Sequence, residues 1–342
     1  MDTKHGNLDC RTCHGGQNSA DMTLAHKDLV KDPSDTVGGG VCAECHQEIA
    51  DTFKDSLHFK QTGFVKSLEE FSHEGILNED GALKEAFAGN CSTCHVSCGD
   101  CHVSRPKAQS GGLLAQHQFV MPDMEKNCVL CHSTRNGAEY TGTVGITADV
   151  HYQKGLTCID CHPATNFHGS KPEATEMMLK EDLPDCLDCH KDTYGPESKI
   201  EAHKAHPENT LSCQVCHSSA TNNCFECHIN VKEDGKLASH SEVKLMFKIG
   251  KNPAPDKLHP EKYITVRHIP TIKNSFDALG KNALPNFDEI PNWKLSPTHN
   301  IQRFTPQNSD CETCHSTKGL YLTKEDLRPS DSKANEKLLV DK

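Results

Sequence analysis

Every cysteine of this chain stands in a C-x-x-C pair, and every pair is followed at once by a histidine. The first units are CRTCH (Cys10, Cys13, His14), CAECH (Cys42, Cys45, His46), CSTCH (Cys91, Cys94, His95) and CGDCH (Cys98, Cys101, His102). They continue as CVLCH (Cys128, Cys131, His132), CIDCH (Cys158, Cys161, His162), CLDCH (Cys186, Cys189, His190) and CQVCH (Cys213, Cys216, His217). CFECH (Cys224, Cys227, His228) and CETCH (Cys311, Cys314, His315) complete the set, which uses all 20 cysteines of the 342 residues. No thiol is left over for a lone nucleophile.

The pattern restricts the chemistry sharply. A structural zinc site can use C-x-x-C pairs, but it has no need of a histidine after every second cysteine. A disulfide scaffold is normally a short secreted chain. A thioredoxin-like motif occurs once, beside a βαβ pattern that is missing here. C-x-x-C-H is instead the attachment signature of c-type haem. Two thiols about one helical turn apart add to the two vinyl groups of one porphyrin, and the adjacent histidine reaches the iron as proximal ligand. The expectation is ten haems on 20 thioethers.

Composition agrees. A chain this long is expected to bury a sizeable apolar core. Yet hydrophobic residues make up 35%, aromatic residues 5%, and there is one Trp, short of the usual apolar share. Something other than side chains has to fill the interior. The net charge of −12 argues against nucleic acid, which wants a basic face. No stretch approaches the roughly eighteen apolar residues of a membrane span. The first residues, MDTKHGNLDC, carry no apolar signal region, so an exported protein is expected here in processed form.

On these motifs, over residues 10–315, the chain resembles the multihaem c-type cytochromes, here of a decahaem kind. The resemblance implies a haem-packed core in a mostly irregular and α-helical fold of short helices. It also implies haem attachment outside the cytoplasm, in an extracellular, cell-surface or periplasmic setting. Redox proteins or extracellular electron acceptors are the partners it implies. The resemblance extends to the extracellular filament-forming cytochromes, in which a subunit lends a histidine to its neighbour. His5, just ahead of the first motif, is the candidate for that loan, and copies of this chain would then be partners as well.

Histidine usage separates a conduit from an enzyme. Of 23 histidines, ten follow the cysteine pairs and thirteen are spare, enough to give each iron a second imidazole. The expected distal ligands are His5, His26, His58, His117, His151, His168, His206, His240, His268 and His299. HYQKGLTC and HPENTLSC place His151 and His206 each seven residues before a haem cysteine, which favours His206 over His203. His168 follows the sixth motif in CHPATNFHG, and His58 sits in the helix-like DTFKDSLHF. In KYITVRHI, strand alternation puts Ile264, Val266 and His268 on one face. His73 and His259 lie in polar, turn-like settings. Ten bis-histidine irons would transfer electrons and leave no open site for a substrate. No C-x-x-C-K variant occurs, and Tyr140 in GAEYTG is read as a packing residue. The competing function is reduction of a small nitrogen or sulfur compound.

Along the chain, residues 1–228 carry nine motifs, 229–310 form a cysteine-free and β-containing insertion, and 311–342 hold the tenth motif and a polar, peripheral tail. VKLMFKI (243–249) and KYITVRHI (262–269) read as strands, and 46–58, 80–88 and 173–182 as short helices. The seven-residue step from the third motif to the fourth points to those two as a close couple.

Overall fold

The computed structural model describes residues 4–34, 40–92, 96–103, 119–133, 135–143, 145–169, 183–224, 230–231, 237–238, 243–269, 271–277, 280, 282–316 and 318–340. The fold is rich in short helices with small antiparallel sheets, the architecture expected of a multihaem cytochrome. Among the described residues no helix is long and apolar enough to cross a membrane. The helix Thr62–Phe71 has ten residues, whereas those at the haem motifs are single turns. The chain is interleaved between two units, a division distinct from the linear one read from the sequence. The first comprises residues 1–62, 94–131 and 158–180, the second residues 63–93, 132–157 and 181–342.

The first unit has hardly any apolar core of its own. Ala50 and Phe53 are its buried hydrophobic side chains among the described residues, beside buried Ser34, Ser56, Gln61, Ser97 and Asn166. The helix expected over 46–58 is two helices, Gln47–Phe53 and Leu57–Lys60. It breaks where Ser56 caps the second by accepting from Phe59 N–H at 3.1 Å. The helix Ala164–His168 packs on both. It ends at Gly169, whose φ of +84° and closeness to the Thr52 carbonyl, 2.3 Å from where a Cβ would stand, exclude a side chain.

The second unit holds two apolar clusters. Leu68, Phe71, Leu83, Ala86, Phe276, Leu284 and Phe287 form one. It joins the helix Thr62–Phe71 to Ala82–Ala86, found where the sequence placed 80–88, and to residues 276–287. The stretch 173–182 lies outside the described residues. Seven strands follow: β1 (Thr221–Cys224), β2 (Asn230–Val231), β3 (Leu237–Ala238), β4 (Val243–Met246), β5 (Ile249–Lys251), β6 (Tyr263–His268) and β7 (Trp293–Leu295). They pair antiparallel as β1–β4, β2–β3 and β5–β6–β7. The second cluster, Ile264, Val266, Trp293, Leu322 and Leu338, covers the three-stranded sheet.

Two expectations need correction here. VKLMFKI is not one strand. The chain leaves the ladder at 247–248, so Met246 and Ile249 turn to the core while Leu245 is exposed. Nor is the tail peripheral. Leu322, Leu338 and Val340 are buried, Leu322 N–H donates to Ile249 O at 2.8 Å, and Val340 N–H to Leu322 O at 3.0 Å. A few apolar residues spaced through a polar tail suffice to cover one face of a sheet this small.

A buried ion pair braces the second unit. Arg267 on β6 donates to Glu139, whose carboxylate also accepts from Asn222 N–H at 2.8 Å and His299 N–H at 3.2 Å. Asp149, buried as well, accepts from Ile301 N–H at 2.6 Å. These carboxylates tie residues 299–301 to 139–149.

Candidate haem-binding sites

Most of the described motifs fold as single helical turns, among them Cys10–His14, Cys98–His102, Cys158–Cys161, Cys186–Cys189, Cys213–His217 and Cys311–Ser316; Cys224, the first residue of the ninth, instead ends the strand β1. One turn puts the cysteines at i and i+3 on one face. A local cap explains why so short a turn forms. Asp9 accepts from Arg11 N–H at 2.8 Å and Asp185 from Leu187 N–H at 2.6 Å. Asp310 accepts from Glu312 N–H at 3.0 Å. In nine of the ten motifs the residue before the first cysteine is Asp, Asn, Ser or Thr; the exception is Val41, and that turn, Gly40–Glu44, is a 3-10 helix. This capping position was legible in the sequence and not used above.

Three proximal histidines are held by a recurring two-bond clamp. Val30 N–H donates to His14 O at 2.8 Å, and His14 Nδ1–H donates back to Val30 O at 2.8 Å. His102 exchanges the same pair with Val120, at 2.9 and 3.1 Å, and His217 with Gln302, at 2.7 and 3.0 Å. His162 Nδ1–H is bound by Asn166 Oδ1 at 3.2 Å. With Nδ1 committed to an acceptor, the ring presents the Nε2 lone pair, the arrangement that orients imidazole toward a metal.

Five proximal histidines face a second imidazole. The ring centres are 6.0 Å apart for His46 and His5, 6.0 Å for His102 and His168, 6.2 Å for His190 and His151, 6.0 Å for His217 and His203, and 6.4 Å for His315 and His206. Two imidazoles on one iron, each nitrogen about 2 Å from the metal and each ring centre about 1 Å beyond, are separated by about 6 Å. The residues therefore fit the group. Among the described residues no three or more His, Cys, Asp or Glu gather into a set that could hold a bare metal ion.

The second imidazoles are oriented too. His151 Nδ1–H donates to Asp149 Oδ1 at 2.9 Å, and His203 Nδ1–H to Thr193 O. His5 is stacked on Phe119 at 4.3 Å. His58 and His162 both flank Phe167, at 5.9 and 6.4 Å. His299 Nδ1–H donates to Pro297 O at 2.9 Å, and His26 is exposed at the end of the helix Met22–Ala25. Cys94, His95, His117, Cys227, His228 and His240 lie outside the described residues, as does the side chain of Cys224.

His268 stands elsewhere. Its face with Ile264 and Val266 is buried as expected, but that face packs on Trp293, and His268 Nε2 sits 2.8 Å from Asp331 Oδ1. His73 Nε2 is likewise engaged, 2.9 Å from Glu79 Oε1. The Asp256 carboxylate accepts the His259 backbone N–H at 2.7 Å. Tyr140 OH donates to Leu156 O at 2.9 Å.

Thiols of different motifs meet as well. Cys42 and Cys98 hydrogen-bond, which pushes Cys42 up and brings Cys98 down to about 7. The same contact raises Cys158 and lowers Cys128 to about 7, and raises Cys186 while lowering Cys213. Burial, then the neighbouring thiol Cys128, pushes Cys101 up to about 11; burial, then Cys314, does the same for Cys216. Thioether formation would abolish these titrations, and the proximity would persist.

The family model described as cytochrome c554 and c-prime matches residues 41–118 and 165–218, which hold the second, third, fourth, seventh and eighth motifs. No curated protein and no solved structure matches the chain. The chain is similar to that family over those two stretches, and the match to its repeated C-x-x-C-H units indicates a multihaem c-type cytochrome that transfers electrons through covalently bound haem.

Proposed function

We propose that all ten motifs carry haem, that each iron has two histidine ligands, and that the protein conducts electrons without acting on a substrate. The observation that carries this reading is the set of five facing histidine pairs at 6.0–6.4 Å. Bound haem supplies a one-electron iron couple whose potential the axial ligands and their surroundings tune. The chain's part is to hold the imidazoles, by Nδ1–H bonds such as His14 to Val30 O and His151 to Asp149.

The pairs also revise the ligand set. His203 takes the place expected of His268, because it faces His217 while His268 Nε2 is held by Asp331. The favoured His206 keeps a role, opposite His315. After that exchange five proximal histidines, His14, His95, His132, His162 and His228, stand against five distal candidates, His26, His58, His117, His240 and His299. Ten irons then have ten distal ligands, and His73, His259 and His268 are the three left over.

Export to the periplasm, cell surface or exterior is part of the proposal, since c-type haem is attached outside the cytoplasm in the cytochromes this chain resembles. A head-to-tail filament is its finer form, resting on the resemblance to the filament-forming cytochromes. The loan of His5 to a neighbour drops out of it, because His5 faces His46 of its own chain. Mass spectrometry and low-temperature electron paramagnetic resonance test the core proposal. Ten haem adducts with wholly low-spin signals, unmoved by cyanide, are expected. A high-spin iron that binds cyanide or nitrite would transfer the function to the reductase reading.

A further inference from the structure

We infer that the haem motifs are strung in space in an order that departs from their order in the chain. Within the first unit the order is first, second, fourth, fifth, sixth; within the second the eighth and tenth are neighbours. The inference rests on the electron-transfer reading and says which motifs are neighbours in it.

Contacts of the chain around the motifs carry the order. Ser34 is buried, accepts Gly99 N–H at 3.0 Å and lies 3.1 Å from Ser97 Oγ, while Val41 N–H donates to the adjacent Pro33 O at 3.1 Å. That clasps the start of the second motif to the start of the fourth. For the fifth and sixth, the turn Cys158–Cys161 packs against Met124–Cys128.

The remaining neighbours are joined in the same way. His5, ahead of the first motif, faces His46 of the second. Asn127 Nδ2–H donates to Asp100 O at 2.9 Å, joining the fourth and fifth. Thr305 Oγ1–H donates to Cys216 O at 2.5 Å, and Cys314 Sγ lies 3.6 Å from Gln307 O, joining the eighth and tenth.

Electron exchange falls off exponentially with the gap between porphyrin edges, so neighbours in space, rather than neighbours in sequence, set the path. The third motif, expected close to the fourth from the seven-residue step, has Cys94 and His95 outside the described residues.

Single-particle microscopy of the haem-loaded protein at a resolution that places irons tests the order directly. The expected map has the irons at His14, His46, His102, His132 and His162 as successive neighbours, and that at His217 next to that at His315. A map with another iron standing between any two of these neighbours, or with the iron at His102 far from that at His46, overturns the inference. The axial ligands in the same map judge the electron-transfer reading separately, since irons in this order can lack a second histidine and bis-histidine irons can stand in another order.

Discussion

The two units answer the same shortage of apolar side chains in different ways. The first, with motifs running through it, buries Ala50 and Phe53 and otherwise serines and amides. The second also carries motifs, but its cysteine-free strands and tail bury Trp293, Ile264, Val266, Leu322 and Leu338 around a three-stranded sheet. Burying a Trp, Leu or Ile side chain contributes about 1.5–3 kcal/mol. A region without such burial has nothing to set against the conformational entropy of folding. Where haem motifs run through the chain, the cofactor is expected to supply that burial; where there are none, the chain must do so itself.

The sharpest way to break this comparison is to withhold the cofactor. Expressed without haem attachment, the full chain should show amide exchange at unfolded rates over residues 10–60 while 249–268 and 318–338 retain protection, because local stability follows local burial. Uniform protection, or uniform loss, would mean that the two regions do not differ as argued.

Removing the side chain that anchors the second cluster is the next largest effect. Trp293 is fully buried between β6 and the tail, so Trp293→Ala should cost about 3–5 kcal/mol in denaturant unfolding of the loaded protein. The low-spin Soret spectrum before the transition should be unchanged. A shift in that spectrum would show the cluster to be coupled to the irons.

Two histidines carry the comparison to single residues. His203→Ala should create one high-spin, cyanide-binding iron and cost little stability, since His203 is half-buried and faces His217. His268→Ala should leave every iron low-spin and cost about 1–3 kcal/mol, the usual result of stranding a buried hydrogen-bond partner, here Asp331. The reverse pattern would restore His268 to the ligand set.

Much of this was readable from the residues. The cysteine pairs name their cofactor by spacing alone, and alternation in KYITVRHI correctly grouped Ile264, Val266 and His268. What the face would meet was not readable, because an imidazole closing an apolar stripe looks the same whether it borders porphyrin or Trp293. The seven-residue analogy between His151 and His206 likewise found two imidazoles that face proximal histidines without saying which. His151 faces the seventh motif and His206 the tenth, pairings set by packing between segments distant in sequence. The Asp, Asn, Ser and Thr ahead of the cysteines were in plain view. Their meaning as caps depends on the motifs being helical, and nothing in so short a turn announces that by periodicity.

The smallest effect concerns pH and the haem-free core. Burial pushes the Asp331 carboxyl up, but hydrogen bonds from His268, from Arg328 N–H and from Asn292 outweigh it and hold the group below its ordinary value. The unfolded chain, with an ordinary carboxyl near pH 4, therefore binds more protons than the folded one just below that pH. Stability from this group is present above the unfolded value and is lost as pH falls through the lower folded value. Acid titration of the unfolding midpoint should show the native chain losing an advantage over Asp331→Asn as pH falls below about 4. The dependence should be confined to the β5–β7 core, read by Trp293 fluorescence rather than by the Soret band. Parallel curves for the two proteins would mean that Asp331 is no better held in the fold than in the open chain, and the case for His268 as its structural partner would fall with it.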